Sequence, residues 1–409
     1  MGILYSRRYE RSGDEEDARE AERCYQEALK VRRPDTAPAD WAMTQHALGI
    51  LYSRRYERSG DERDAREAEE HYQKALEVYR PDTAPAQWAM TQHDMGNLYL
   101  SRYERSGDEE DAREAERYYQ MVLGVARDRH LPSIYPFRAS SGLTRLYFQM
   151  REWSSTVTAY WKAKAALDDL YRIQVFVRSK ESWLREAQGL SEHAAYALGR
   201  EGDLSDAVTV LESGRARLLG EALARDRADL ERIKEMEPET YELYRRAAAT
   251  LRRFEEEERR SRTRGAPAPL PEEARRAQKD LEEAIERVRR LPGYEDFLAE
   301  TKFDDIAEAV QPGAPLVYLV TTSAGSIALI VWRQSEGDEV NVEPVWTDEL
   351  TEERLSELLM GWFNAYGPYR SNPENSFVRD RWFRTLDETT GQLWDMLMGR
   401  VVSRLEELG

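Results

Sequence analysis

Apolar and small side chains recur at steps of three and four along residues 41–79, the spacing that gathers them on one face of an α-helix. The first such face is formed by Trp41, Gln45, Leu48, Tyr52 and Tyr56. The second is formed by Ala65, Ala68, Tyr72, Ala75, Leu76 and Tyr79. Between them "RSGD" at 58–61 breaks the pattern, and Asp61 is suited to cap the second helix. The pattern predicts a pair of helices joined by a short turn.

The second helix is expected to end in "RPDTAPA" at 80–86, because Pro81 and Pro85 cannot continue a helix. The whole unit is repeated. "GILYSRRYERSG" at 2–13 returns unchanged at 49–60, and Gly2, Gly49 and Gly96 are each 47 residues apart. The same interval separates Tyr9, Tyr56 and Tyr103, then Gly13, Gly60 and Gly107, then Tyr25, Tyr72 and Tyr119. A fixed period of this length is typical of stacked-repeat proteins.

The repeated unit resembles the tetratricopeptide repeat (TPR). The positions that match are Gly49, Tyr52, Ala68, Tyr72 and Ala75, with Pro81 near the family's closing proline. The unit is longer than the family's, which has about 34 residues. The resemblance implies a TPR-like α-solenoid over residues 1–130, with a concave groove lined by the first helix of each pair.

If the resemblance holds, that groove binds a peptide or another protein domain. Its candidate residues are Met43, His46, Ile50, Ser53, Arg54, Met90, His93, Asn97, Leu100 and Ser101. In the first copy the corresponding residues are Ile3, Ser6 and Arg7. The alternative is that all of these are solvated helix residues without a ligand.

Degenerate helical repeats are expected to continue the solenoid over residues 131–225. The predicted pairs are 136–150 with 153–170, and 178–200 with 203–224. Residues 226–300 then read as a helical hairpin linker rich in charge, with helices at 239–260 and 272–291. "GAPAPLP" at 265–271 is expected to be its turn, although a proline-rich ligand motif is the alternative. The basic stretch "RRSRTRG" at 259–265 is interpreted as a solvated loop.

The hydrophobic period changes after residue 312. Short β-rich segments occur at 314–322, 326–333 and 340–346, and helical segments at 351–366 and 378–408. Residues 301–409 are therefore expected to begin an α/β domain. A partial sheet leaves unpaired backbone groups along its edge, so either a neighbouring element or another polypeptide should cover it.

The order of these parts resembles the repeat-linked caspase-like proteins called CHAT proteins. The segments that carry the resemblance are "AVTVLESGRARLLGEALARDRADL", the charged hairpin, "PGAPLVYLVTTSAGSIALIVW" and "LDETTGQLWDMLMGRVVSRL". The resemblance implies a partial C-terminal α/β (caspase-like) domain, and relatives that are bacterial cysteine peptidases. Their repeats bind or sense a partner and control the peptidase, often in defence or cell-death systems.

The catalytic residues of that family do not carry over to this sequence. A caspase-like site needs a thiolate nucleophile and a histidine, and residues 301–409 contain neither cysteine nor histidine. Cys24 corresponds to His71 and Tyr118 in the other copies, so it occupies a tolerant repeat position. His46 and His93 lie one period apart with no cluster of further ligands, which predicts neither a metal site nor a cofactor.

Composition narrows the class of partner. The formal net charge is −18, which disfavours nucleic acid. One cysteine excludes a disulfide framework and fits a reducing compartment, while no segment has the length and apolarity of a membrane span or a signal peptide. The sequence is therefore interpreted as that of a cytoplasmic protein without membrane partners.

The first copy lacks the half that precedes Gly49 in the second, and the C-terminal domain stops early, so both ends are expected to be interruptions of something longer. The favoured hypothesis is a regulatory interaction protein with an incomplete, inactive CHAT module. Its partner would be a protein or peptide in the groove, or a polypeptide completing the module. The alternative is a fragment of an active cysteine peptidase whose histidine and cysteine lie beyond residue 409.

Overall fold

A computed structural model of the chain describes residues 1–173, 186–218, 232–264, 271–294, 297 and 302–408. The chain forms two compact units. The first comprises Met1–Leu146, Ala159–Trp183 and Asp229–Glu295. The second comprises Tyr147–Thr158, Leu184–Ala228 and Asp296–Gly409. The described residues are mainly helical, with one small antiparallel sheet near the C-terminus.

Helices occupy most of the described residues, and in the described ranges up to residue 309 they follow one another without a strand. The repeat helices are α1 (Gly2–Ser12), α2 (Glu15–Val31), α3 (Pro38–Ser59), α4 (Glu62–Val78), α5 (Pro85–Ser106) and α6 (Glu109–Arg129). They are followed by α7 (Ile134–Gln149), α8 (Trp153–Ile173), α9 (Leu190–Glu201), α10 (Leu204–Leu218), α11 (Pro238–Arg264), α12 (Pro271–Arg289) and α13 (Phe303–Ala309) among the described residues. The remainder consists of β1 (Leu316–Thr322), β2 (Gly325–Trp332), β3 (Asn341–Thr347), α14 (Glu352–Ser371), α15 (Ser376–Leu393), a π-helical turn (Trp394–Met398) and α16 (Gly399–Leu408).

Each repeat pair turns at a glycine followed by an aspartate. Gly60 ends α3 in the left-handed conformation, with φ 71°, which a residue without Cβ adopts at low cost. The Asp61 side chain then accepts a hydrogen bond from the backbone N–H of Arg63 and caps α4. Gly13–Asp14 and Gly107–Asp108 repeat the arrangement. The predicted cap at Asp61 is confirmed.

The two helices of a pair approach closely at a glycine. A Cβ atom on Gly49 would lie 2.5 Å from the ring of Tyr72, so only glycine fits without displacing that ring. The same contact joins Gly2 to Tyr25 and Gly96 to Tyr119. Packing of α2 against α3, and of α4 against α5, then joins one pair to the next.

The predicted end of the second helix is confirmed, because α4 ends at Val78, ahead of Pro81. Pro85 is the first residue of α5, where its missing N–H costs nothing and its fixed φ suits a helix. One sequence-based boundary was wrong. The basic stretch was expected to be a loop, yet α11 continues through Arg264, because arginine is a good helix former and no breaker occurs before Gly265. The turn predicted at 265–271 falls on undescribed residues up to 270, as does the start of the helix predicted at 178.

The second unit contains a three-stranded sheet in the order β1-β2-β3, with both neighbouring pairs antiparallel. The central strand β2 is buried along almost its whole length. One face of the sheet packs on a core that includes Ala328, Ile330, Leu358 and Val401, from β2, α14 and α16. The strands match the three β-rich segments predicted from the sequence to within two residues.

The helices that follow the sheet begin with a hairpin of α14 and α15, which pack on each other. Aromatic rings fill the space between them: Trp362 and Tyr366 lie 5.1 and 5.0 Å from Trp382, measured between ring centroids. The segment 378–408 was expected to be one helix. The π-helical turn at Trp394–Met398 instead divides it into two α-helices, α15 before the turn and α16 after it.

Candidate binding cleft between the second and third repeats

A cleft of about 600 Å³ lies against helices α3, α4 and α5 of the first unit. Five of the residues proposed from sequence line it: Ile50, Ser53, Arg54, Asn97 and Ser101. Ile50 and Asn97 are one period apart, as are Arg54 and Ser101. The cleft is thus built from equivalent positions of adjacent repeats.

The other five sequence-proposed residues do not line the cleft: Met43, His46, Met90, His93 and Leu100. Leu100 is only 1% exposed and belongs to the core, so its expected position on the groove was wrong. It follows Tyr99 along α5, and both side chains are buried. His46 is also buried, and it contributes only through the cleft residue Asp94, described below.

Sequence reasoning missed six lining residues: Glu57, Tyr72, Asp94, Glu104, Arg105 and Arg145. Glu57 and Glu104 are one period apart and three residues beyond Arg54 and Ser101, so extending the helical face by one turn would have found them. The repeat pattern gave no indication of Asp94, because the preceding copy has Ala47 at the equivalent position. Arg145 comes from α7, which is outside the 47-residue period.

The arginines of the cleft are held by neighbouring carboxylates or, in the case of Arg105, by a backbone carbonyl. Arg54 donates to Glu57 at 2.9 Å, and its other guanidinium nitrogen lies 3.2 Å from Glu10. Arg145 donates two hydrogen bonds to Glu104, at 2.7 and 2.8 Å. Arg105 donates to the backbone carbonyl of Glu57 at 2.7 Å. The lining therefore presents fixed, oriented charges of both signs.

Asp94 is a carboxylate shared by two imidazoles. His46 Nε2 lies 2.8 Å from Asp94 Oδ2, and His93 Nδ1 lies 3.2 Å from Oδ1. Burial alone would raise the pKa of Asp94, but these two hydrogen bonds outweigh it and hold the pKa well below its usual range. Asp94 is therefore ionised at neutral pH and supplies a fixed negative charge to the cleft.

Two buried tyrosines contribute to the cleft: Tyr72 lines it, and Tyr119 contacts the lining residue Asn97. Burial raises the pKa of Tyr72 well above its usual value, so its hydroxyl stays protonated. Burial has the same effect on the pKa of Tyr119, whose hydroxyl donates to Asn97 Oδ1 at 2.7 Å. That bond orients the Asn97 amide, so the Asn97 side chain enters the cleft in a defined position.

Among the residues that the structure describes, no group of three His, Cys, Asp or Glu side chains could hold a metal ion. Cys24 is a free, half-buried thiol on α2. Within the same described ranges, no helix combines the length and apolarity needed to cross a membrane.

The cleft can therefore recognise a polar ligand by hydrogen bonds and charge, with Ile50 as its apolar contact. Its lining comes from equivalent positions of α3 and α5, together with Tyr72 of α4 and Arg145 of α7. No protein-family model, no curated protein and no solved structure matches this chain. Assignment of function therefore rests on the geometry of the cleft itself.

Proposed function

We propose that the chain is a TPR-like α-solenoid scaffold that binds an extended protein segment in the cleft. The observation that carries this proposal is that equivalent positions of two successive repeats line the same cleft. These positions lie on α3 and α5, 47 residues apart in the sequence. An extended peptide presents groups at regular intervals, so a periodic lining can contact several of them at once. The ordered side chains reduce the entropy that binding costs.

The ligand of this proposal carries both charges and backbone polar groups. Arg54 and Arg145 offer guanidinium groups, while Asp94 offers an ionised carboxylate that peptide N–H groups can contact. Such a lining discriminates by charge pattern and not by apolar area. A segment with alternating acidic and basic side chains fits best.

Peptides selected on the full chain from a random display library would test the proposal. Ser101→Trp fills the cleft, and Gln73→Trp adds the same ring to an exposed position of α4. We expect Ser101→Trp to weaken the selected peptides by at least about tenfold, and Gln73→Trp by less than about twofold, in fluorescence anisotropy titrations. Recovery of no saturable binder, or equal binding to both variants, would contradict the proposal.

We further propose that residues 301–409 act as a CHAT-like module that does not cleave peptides. The absence of cysteine and histidine from these residues supports this, since the chemistry needs both. The single cysteine also supports the proposal that this protein functions in the reducing cytoplasm. A fluorogenic casein assay should show no hydrolysis above the blank, and hydrolysis that disappears in Cys24→Ala would contradict the proposal.

A further inference from the structure

Helix α14 of the second unit has two sides of different character. One side carries Leu358 and Ala365, which are buried, and Leu358 belongs to the core that packs on the sheet. The other side carries Leu359, Met360 and Phe363, which are 41%, 66% and 61% exposed. These three lie within about one turn of the helix, so their side chains are neighbours. Large apolar side chains clustered in water mark an interaction surface.

The exposed side continues to both ends of α14 and finishes there in charges of opposite sign. Steps of three and four residues lead from Phe363 forward to Arg370, and from Leu359 back to Glu352. Both charged residues are exposed. We name Glu352, Leu359, Met360, Phe363 and Arg370 the α14 stripe. It is about 27 Å long, since an α-helix rises by about 1.5 Å per residue.

The α14 stripe is symmetric about its own midpoint. Glu352 and Arg370 each lie nine residues from position 361, and Leu359 and Phe363 each lie two residues from it. A two-fold axis at position 361 would therefore place Glu352 opposite Arg370 of a second copy. The same axis would place Leu359 opposite the second copy's Phe363, with Met360 next to the axis in both copies. A two-fold interface needs such a self-complementary surface.

The charges at the two ends of the stripe have no ion-pair partner in the described part of the chain. By contrast, Arg354 of the same helix donates to Glu357 at 2.8 Å. Burial, and after it the negative charge of Glu192, raise the pKa of Glu352. The Glu352 carboxylate thus lies in negative surroundings, where a guanidinium group from outside would be favourable.

Helix α15 adds to the apolar surface. Phe383 is 49% exposed, and its ring lies 6.2 Å from that of Tyr369 on α14, measured between centroids. Since Tyr369 directly precedes Arg370, Phe383 lies near the basic end of the stripe. The surface thus combines apolar side chains in its middle with charged residues at its margins, as protein–protein interfaces do.

We propose that two copies of the chain associate through the α14 stripe, with their α14 helices antiparallel about a two-fold axis at position 361. Self-complementarity identifies the occupant, because one helix supplies both members of the apolar pair and both members of the ion pair. The surface is one helix wide with Phe383 beside it, which is less than the roughly 800 Å² per partner of a standard interface. The dissociation constant is therefore expected to be about 1–100 µM.

Sedimentation equilibrium of the full chain between about 1 and 300 µM measures this association. Phe363→Lys should weaken it at least about tenfold, because a charge then lies in the middle of the interface. The monomer should keep its fold, since Phe363 is already largely in water. Phe377→Lys is the matched control: Phe377 is an exposed phenylalanine of the same hairpin outside the stripe, and its substitution should change the dissociation constant by less than about twofold.

Reversal of the end charges tests the two-fold arrangement. Glu352→Arg and Arg370→Glu should each weaken self-association by about three- to tenfold, because each places two pairs of like charges in the interface. An equimolar mixture of the two variants should associate again, since every charge then meets its opposite. The combined variant Glu352→Arg with Arg370→Glu should also self-associate. Circular dichroism spectra should be the same for all of these proteins.

A chain that stays monomeric throughout this concentration range would overturn the proposal. Dimers that Phe363→Lys leaves intact would overturn it as well, because the interface would then lie elsewhere. Dimers that Phe363→Lys breaks, but that the mixture of the two charge variants does not restore, would reject the antiparallel two-fold arrangement.

Discussion

The first and second helix pairs place the same twelve-residue sequence in two different environments. Residues 2–13 and 49–60 are identical, and both form helices that end at a left-handed glycine before an aspartate cap. Yet Leu4 and Ile3 are exposed where Leu51 is fully buried. Local structure is therefore set within a pair, while burial is set by the pair that lies ahead. Substitutions at equivalent positions separate these two contributions.

The largest difference is expected at the leucine. Leu51→Ala should lower the free energy of unfolding by about 3–4 kcal/mol, because it leaves a cavity between helix pairs. Leu4→Ala should change it by less than about 0.5 kcal/mol, since that side chain is already half in water. Urea denaturation followed by circular dichroism measures both. Equal losses would mean that burial of Leu51 comes from its own pair.

The sequence predicted the helix pairs well because their determinants are local. Spacing of apolar residues, the glycine turn and the cap at Asp61 all lie close together along the chain. The cleft was only half predicted, because a groove position depends on how far each pair is rotated against the next. Leu100 faces the core for that reason, and Arg145 enters from a helix that has no counterpart in the repeat.

The strands of the second unit were located from their β-rich composition, but their pairing was not. Register is fixed by contacts such as Ile327 with Trp346 and Gly199 of α9 with Ile327, which join residues far apart in the sequence. The solenoid and the CHAT-like module remain predictions. Their test is the binding and cleavage behaviour described above, not the presence of helices and strands.

A pH-dependent difference is expected at the position that holds Cys24, His71 and Tyr118 in the three copies. Burial, with repulsion from Lys74, lowers the pKa of His71 to about 4, while its Nδ1 bonds Gln45 and its ring stacks on Tyr52. The unfolded chain binds this proton near pH 6.5. This part of the stability is therefore complete above about pH 6.5 and is lost towards about pH 4, by at most about 3 kcal/mol and by less where solvent screens the ring.

His71→Tyr should remove that part of the acid sensitivity. The third copy shows that tyrosine fits, since Tyr118 stacks on Tyr99 with ring centroids 5.6 Å apart, as His71 stacks on Tyr52 at 5.5 Å. Urea midpoints of both proteins at intervals between pH 7 and pH 4 measure the difference. Parallel curves would show that carboxylates and not His71 dominate the acid response.

The helix caps should behave alike in the two environments. Asp61→Ala removes the hydrogen bond to the Arg63 N–H and should cost about 1 kcal/mol. Asp14→Ala removes the equivalent bond to Glu16 and should cost the same, although α1 and α2 are more exposed than α3 and α4. Asn at either position should restore most of the loss. A harmless Asp14→Ala would show that α2 depends on packing more than on its cap.

The smallest loss of stability is expected at the arginine that reaches the preceding pair. Arg58 donates to Glu10 O at 2.9 Å and lies 5.4 Å from the centre of the Tyr9 ring, so Arg58→Ala should cost about 0.5 kcal/mol. Arg11 is the equivalent residue of the first copy and is exposed on α1, so Arg11→Ala should cost nothing measurable. Both side chains are exposed, so helix propensity and solvation change equally in the two variants.

The difference between Arg58→Ala and Arg11→Ala therefore isolates one contact between helix pairs. It should shrink only slightly in 1 M salt if the carbonyl bond and the ring contact dominate, because neither needs a partner of opposite charge. A difference that vanishes with salt would instead assign it to the general attraction of arginine for the acidic chain. Since the same contact recurs at Arg105, the double variant Arg58→Ala with Arg105→Ala should cost about twice as much, as expected for independent sites.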